Sequence, residues 1–256
     1  MELGARRDAF RRLHDEGLFI MPNPFDVGSA KQLAQLGFRA LASTSSGYAR
    51  TLGQGDMTVS RDALIAHVTA LASATDLPLN VDSEQCFPHA DGGVARTIEL
   101  LAAAGAAGCS IEDFDPQRQR IEDLDVAVER VRVAANAAHR EGLVLTARAE
   151  NHLRGRDDLD DTITRLRAFV GAGADVVYAP GLTELGQIRR VVDESGAPVN
   201  VLLMPGGPSC ASLAEVGVRR VSVGSWLASI AYGALSRAAL TLRDEGVLSP
   251  DAPYLR

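Results

Sequence analysis

An alternation runs the length of the chain, and it restricts the fold more than any other feature. Short β-rich runs recur at "LFIMP" (18–22), "ALASTS" (40–45), "LPLNVD" (77–82) and "GCSIED" (108–113). They continue at "LVLTAR" (143–148), "DVVYAP" (175–180), "PVNVLL" (198–203) and "RRVSVG" (219–224). Helical patterns lie between them, such as "RDALIAHVTALASAT", "GVARTIELLAAAG", "LDVAVERVRVAANAAHREG" and "DDLDDTITRLRAFVGAG". In the last of these, Leu166, Phe169 and Val170 share one face while Arg165 and Arg167 fall elsewhere. Strands that alternate with helices predict a parallel sheet, and eight such units in 256 residues match the order and size of a (β/α)8 TIM barrel. A doubly wound sheet would show G-x-G-x-x-G after its first strand, where this chain has "MPNPFDVGSA". The glycines of "AAAGAAG" and "GAGAD" read as helix C-caps, not phosphate loops. No linker or shift of composition divides the chain. The expectation is therefore a single α/β barrel domain over 1–256, with an N-terminal helix at about 4–16 and a C-terminal helix at about 226–245.

Composition removes several classes of function. A net charge of −7 without a basic block argues against nucleic acid and against an anionic membrane surface. No apolar run reaches the roughly 18 residues of a membrane helix, and the N-terminus reads as an amphipathic helix instead of a signal peptide. Cys86, Cys109 and Cys210 lack metal-ligand spacing and leave one cysteine over, which fits a reduced, cytoplasmic setting. Lys31 is the only lysine and sits on a predicted surface helix, so Schiff-base chemistry has no side chain to work with.

Active sites of such barrels form at the C-terminal ends of the strands. Strand by strand, those ends deliver Asn23 and Asp26, then Ser43 to Gly47 with Asp56 in the following loop, then Asp82 and Glu84, then Glu112 and Asp113. Arg148, Glu150, Asn151 and His152 follow, then Tyr178, then Met204. Asp56, Asp82, Glu84 and Glu112 are candidate ligands of a hard divalent cation, because close carboxylates repel unless positive charge lies between them. The i, i+2 spacing of Asp82 and Glu84 places both on one side of an extended strand. Capping of helices and pairing with arginine is the alternative use of such acids. Arg148 suits a bidentate grip on a carboxylate or phosphate, or else an ion pair with Glu150 or Glu112. The Ser45, Ser46 and Gly47 run could hold a carboxylate through hydroxyls and backbone N–H groups. Cys86 is a candidate nucleophile; His89 and His152 are candidates to move protons. Cys109, His14, His67, His139, Trp226 and Met204 read as structural.

From about Phe19 to about Leu240 the sequence resembles the isocitrate lyase/phosphoenolpyruvate mutase superfamily. The segments that carry the resemblance are "STSSGYARTLGQGD", "LPLNVDSE", "AAGAAGCSIEDF", "TARAENHLRGRDDLDDTITRLRAFVGAGADVVYAPGL" and "PVNVLLMPGG", in matching order and spacing. The resemblance implies a barrel that uses Mg2+, with Mn2+ as an alternative, and acts on a small 2-oxo acid or its enolate. It implies a homodimer or homotetramer, often with the last helix exchanged. It implies that Ser45, Ser46 and Gly47 hold the substrate carboxylate and that Arg148 contacts it. Asp82 would be the direct metal ligand, with Asp56, Glu84 and Glu112 acting through water.

Three departures qualify the match. The stretch after strand 4, "DFDPQRQRIEDLD", has neither the Lys-Arg-Cys-Gly-His signature of the lyases nor the lysine of the mutases' gate loop. The glycines expected after the strand 3 carboxylates are replaced by "QCFPH", which should alter the loop's backbone, since glycine adopts positive φ cheaply. The expected activity is Mg2+-dependent cleavage of a C–C bond in a small di- or tricarboxylate through a 2-oxo acid enolate, with Arg148, Glu112, Cys86 and His89 as catalytic candidates. Hydrolase, mutase or decarboxylase chemistry on a phosphonate or an oxaloacetate-like acid is the alternative. A metabolite-binding barrel without turnover is the third expectation.

Overall fold

The computed structural model describes residues 2–248. An opening helix, α1 (Leu3–Arg12), leads into β1 (Phe19–Met21), α2 (Val27–Gln35), β2 (Leu41–Ala42), α3 (Ser45–Thr51), α4 (Arg61–Ala74) and β3 (Leu79–Asp82). Then come α5 (Gly93–Ala103), β4 (Gly108–Glu112), a small hairpin of β5 (Phe114–Asp115) and β6 (Arg120–Ile121), α6 (Leu124–Arg140) and β7 (Val144–Arg148). After a 3-10 turn at Asn151–Arg154 the chain continues through α7 (Leu159–Gly171), β8 (Val176–Tyr178), α8 (Leu185–Ser195), β9 (Val199–Leu202), α9 (Cys210–Glu215), β10 (Arg220–Ser222) and α10 (Trp226–Glu245).

Eight strands are parallel neighbours in the order β1-β10-β9-β8-β7-β4-β3-β2. The seam between β1 and β2 is bridged by the Ala42 N–H donating to the Pro22 carbonyl at 3.0 Å. Asn23 reinforces it: its amide donates to the Ser43 carbonyl at 2.9 Å and its Oδ1 accepts from the N–H groups of Val223 (2.8 Å) and Gly224 (2.9 Å). The expected TIM-barrel fold is the one observed, and all eight strands fall within their predicted runs. Side-chain oxygens of Asp26, Thr44, Ser60, Asp158 and Ser209 cap the helices they precede, satisfying backbone donors that helix starts leave free. Gly105 and Gly173 follow α5 and α7 with φ of +100° and +107°, the left-handed geometry expected of C-caps.

The period of two along each strand divides the side chains into two sets. Leu79 and Val81, Cys109 and Ile111, Leu145 and Ala147, and Val199 and Val201 point outward, into one large apolar core shared with the helices. Facing inward at the base, Phe19, Met21, Ala42, Val144 and Val176 pack with Phe10 of α1 in a separate apolar cluster. Above this plug the interior turns polar: Asn80, Ser110, Thr146, Asn200 and Ser222 line a cavity of about 320 Å3 that opens among the C-terminal strand ends. Barrels of this class usually fill that space with branched apolar side chains. Here small polar residues leave a chamber of ligand size.

Candidate active site

Arg148 stands at the end of β7 and projects into the upper chamber. Its Nη1 donates to Asp82 Oδ1 at 2.8 Å, its Nε to Glu150 Oε1 at 2.9 Å, and its Nη2 lies 2.8 Å from the same Glu150 oxygen. Nη2 also reaches Glu112 Oε2 at 3.1 Å. The Tyr178 ring sits 5.4 Å from the guanidinium carbon. Burial disfavours the charge on Arg148, but Glu150, Glu112 and Asp82 outweigh it and hold the group well above its usual range. Nε and one Nη1 hydrogen are thus given to Glu150 and Asp82 and Nη2 faces Glu112 and Glu150 as ion pairs, while the second Nη1 hydrogen is left for a ligand. Of the two uses expected of Arg148, the ion pairs with Glu150 and Glu112 are present.

Asp82 is fixed from three sides. Its backbone N–H donates to Ser43 Oγ at 2.9 Å, while Oδ2 accepts from the Ser45 N–H (3.1 Å) and Ser45 hydroxyl (3.0 Å). Oδ1 carries only the Arg148 bond and keeps a lone pair. Asp56 reaches in from the loop after α3, with the Ser45 hydroxyl 3.4 Å away. Burial raises the Asp56 carboxyl, and the charge of Asp82 adds to the rise. Glu84 is pushed up to about 8, chiefly by burial and then by Asp82 and Asp56. Glu112 is also raised, by burial first, with Arg148 opposing and Glu150 and Asp82 contributing. Buried oxygens of Glu112 (Oε1) and Glu150 (Oε2) have no hydrogen-bond donor.

The sequence-predicted residues separate into those gathered here and those left out. Asp56, Asp82, Arg148, Ser45 and Ser46 line the chamber, and Glu112 stands directly behind Arg148. Gly47 is buried in the first turn of α3, where an added Cβ would come within 2.5 Å of Thr44 Cγ2 and 3.3 Å of Phe25. The Ser45 to Gly47 run is thus helical, not a loop; the Ser45 N–H is given to Asp82, and its hydroxyl lies between Asp82 and Asp56. Glu84 lies beyond the end of β3 with φ of +52°. Alternation along an extended strand therefore does not place it, although it stays close enough to Asp82 to feel its charge.

Cys86 and His89 are not brought to the chamber. Cys86 is fully buried, within 3.4 Å of Ser83 Oγ and 3.5 Å of the Ser110 carbonyl, and burial pushes its thiol up to about 12. A thiol in that state is a poor nucleophile. His89 is exposed on the turn after β3. His152 bonds Thr162 and Asp157 outside the cavity. Asp113 is structural, since its Oδ1 accepts from the Glu150 N–H at 2.9 Å and its Oδ2 meets Arg165 at 3.2 Å. The loop without the expected glycines has left-handed backbone at Glu84, Cys86 and Phe87, with φ of +52°, +57° and +49°. Three side-chain-bearing residues here thus hold a conformation that costs roughly 1 kcal/mol or more each.

Sequence reasoning missed Arg220. It lines the base of the chamber from β10 and is 1% exposed. It also read Trp226 and Met204 as packing, whereas both border the mouth.

A barrel whose strand ends converge on a buried arginine, acidic groups and a ligand-sized cavity defines an enzyme-type small-molecule site. Residues 10–243 match the family model for phosphoenolpyruvate phosphomutase, and the chain belongs to that family, within the isocitrate lyase/phosphoenolpyruvate mutase superfamily. A candidate lyase or mutase from Burkholderia cenocepacia J2315 superposes with a TM-score of 0.94 at 47% identity, covering 99% of this chain and 93% of the other. The crystal structure of 2,3-dimethylmalate lyase gives a TM-score of 0.87 at 26% identity, with 98% and 92% covered. An oxaloacetate decarboxylase of Paraburkholderia xenovorans is 30% identical over 262 residues, 97% of this chain and 85% of its own length.

Proposed function

We propose that the protein is a Mg2+-dependent lyase that cleaves a C–C bond of a small dicarboxylate and leaves the enolate of a 2-oxo acid. One observation carries this reading: Asp56 and Asp82 line the rim of the chamber beside Arg148, Glu112 and Glu150 stand against that arginine, and Glu84 lies near enough to Asp82 to feel its charge. Such an excess of carboxylates favours a bound cation. The donors are all oxygen, and Glu112 Oε1 and Glu150 Oε2 accept no hydrogen bond, although Arg154 Nε stands 3.7 Å from the latter; such oxygens suit a hard ion. Among the described residues no three His, Cys, Asp or Glu side chains already form a metal cage. Mg2+ keeps several waters and takes only one or two direct carboxylates, which is the arrangement proposed. Asp82 would hold it directly, with Asp56, Glu84 and Glu112 through water; Mn2+ would fit the same donors.

Bound there, the cation would supply positive charge to an oxygen that becomes negative as the bond breaks. The chain's own residues do the rest. The free Nη1 donor of Arg148 orients a carboxylate, and Ser45 keeps Asp82 in place. Tyr178, pushed up to about 12 chiefly by burial, retains its proton at neutral pH and lines the same wall. The decarboxylase resemblance supports a second reading, in which the departing fragment is CO2.

The test is a panel of 2-alkylmalates, oxaloacetate and phosphonopyruvate with Mg2+, then with chelator. Pyruvate or another 2-oxo acid should be released from an alkylmalate only when the metal is present. Asp82→Ala should lower turnover by at least about 100-fold with its melting temperature little changed. Turnover that survives chelation or the Asp82 substitution would overturn the metal-dependent reading. Phosphate release from phosphonopyruvate alone would move the assignment to hydrolase.

A further inference from the structure

The floor of the chamber holds a second guanidinium, in a setting opposite to that of Arg148. Arg220 Nε donates to Asn200 Oδ1 at 2.9 Å and Nη2 to Thr146 Oγ1 at 2.8 Å. Nη1 lies 3.3 Å from His14 Nε2. His14 Nδ1 is 2.9 Å from the Phe10 carbonyl, which can only accept. Nδ1 therefore carries the proton, and Nε2 accepts from Arg220. Burial, with Arg220 adding, holds His14 down at about 3, so the imidazole is neutral and offers no counter-charge.

All three partners of Arg220 are uncharged, and no ion pair to it occurs among the described residues. Buried cations are ordinarily paired. Burial draws Arg220 down to about 9, which still leaves it charged at neutral pH. Three of its five N–H groups are used, so one on each Nη remains. A second unsatisfied group lines the same chamber: Asn80 is 4% exposed and its Oδ1 has no partner. With the amide turned over, its NH2 becomes a further donor. Thr146, the Arg220 acceptor, precedes Arg148 by two residues on β7, so the backbone positions that carry these two contacts are about 7 Å apart along the strand.

We propose that Arg220 is a specificity-determining residue that binds the far carboxylate of an extended dicarboxylate on the chamber floor, while the near end meets Arg148 and Asp82 at the rim. The inference rests on reading the chamber as the substrate site. It makes the protein selective for extended dianions over acids that engage the rim alone.

The test is calorimetric titration of the Mg2+-loaded full-length protein with oxalate, which is too short to leave the rim, and with succinate, which reaches the floor. Wild type should bind both. Arg220→Met should weaken succinate on the order of 10- to 100-fold, the usual loss for a charge-assisted hydrogen bond, and leave oxalate unchanged. Asn200→Asp, which sets a carboxylate against Arg220 in an isosteric frame, should reproduce the succinate loss even if Arg220→Met fails to fold. Failure of wild type to bind succinate, unaltered succinate binding in the folded variants, or an equal loss of both ligands would overturn the proposal. If oxalate does not bind wild type but succinate binds through Arg220, the rim assignment fails and the floor assignment stands.

Discussion

Arg148 is ringed by carboxylates and Arg220 by none, although both project into one chamber from neighbouring levels. Arg148 was legible because it ends an apolar run at a strand's C-terminus. Arg220 was not, because "RRVSVG" begins with two arginines and only the register of β10 decides which faces inward. The same limit applies to Cys86, whose place after two acids suggests chemistry but whose side chain is fully buried. Native protein should therefore show one thiol, Cys210, reacting readily with a disulfide reagent. Cys86 and Cys109 should appear only on unfolding, since both are fully buried and raised by desolvation. Prompt reaction of two thiols would contradict the observed packing.

His67 gives a pH signature. It stacks on Tyr48 at 3.7 Å, its Nε2 has no partner, and burial draws it down to about 4. Its folded pKa lies below the unfolded value of about 6.5, so the unfolded chain takes up the proton first. Its contribution to stability is then lost as pH falls from about 6.5 toward 4, at roughly 1.4 kcal/mol per pH unit. His67→Phe should lack that slope. Denaturant unfolding of both proteins at several pH values in this window measures the difference, and parallel curves would refute the assignment.

Among the elements, the eight strands were readable as apolar runs bounded by helix caps. Helices α3 and α9 and the β5–β6 hairpin were not, because pieces so short form through tertiary contacts more than through local pattern. The hairpin is held from outside itself: Arg154 lies 3.6 Å over the Phe114 ring, and Arg165 donates to the Glu122 carbonyl at 2.9 Å. Helix α1 seals the other end of the barrel. Phe10 is fully buried against Phe19 and His14 with near-perpendicular rings, and it packs under the floor that carries Arg220. Phe10→Ala should cost about 3–5 kcal/mol, measured by urea unfolding. A loss below about 1 kcal/mol would mean that α1 is dispensable to the core.

For the molecule as a whole, the barrel could be read from order and spacing, but its polar interior could not, because facing residues come from strands far apart in sequence. The C-terminal helix was also legible, at 226–245. From Ala234 onward every residue of α10 except Thr241 is exposed, and Ile230, Leu235, Leu240 and Leu242 are 62%, 63%, 49% and 51% accessible. A stretch of about 18 Å without a buried face gains little from its own subunit. We expect homodimers or homotetramers in which this half of α10 is covered by a partner. Paired Leu235→Glu and Leu242→Glu substitutions should shift the sedimenting species toward monomer, and wild-type melting temperature should rise with protein concentration. A wild-type monomer at micromolar concentration would refute this.

Among the described residues, the last to line the chamber is Trp226 and the last fully buried apolar one is Ala228. A protease that clips α10 beyond Gly233 would therefore remove no described residue that lines the chamber. The trimmed protein should still take up a small acid, and what it forfeits should be its company.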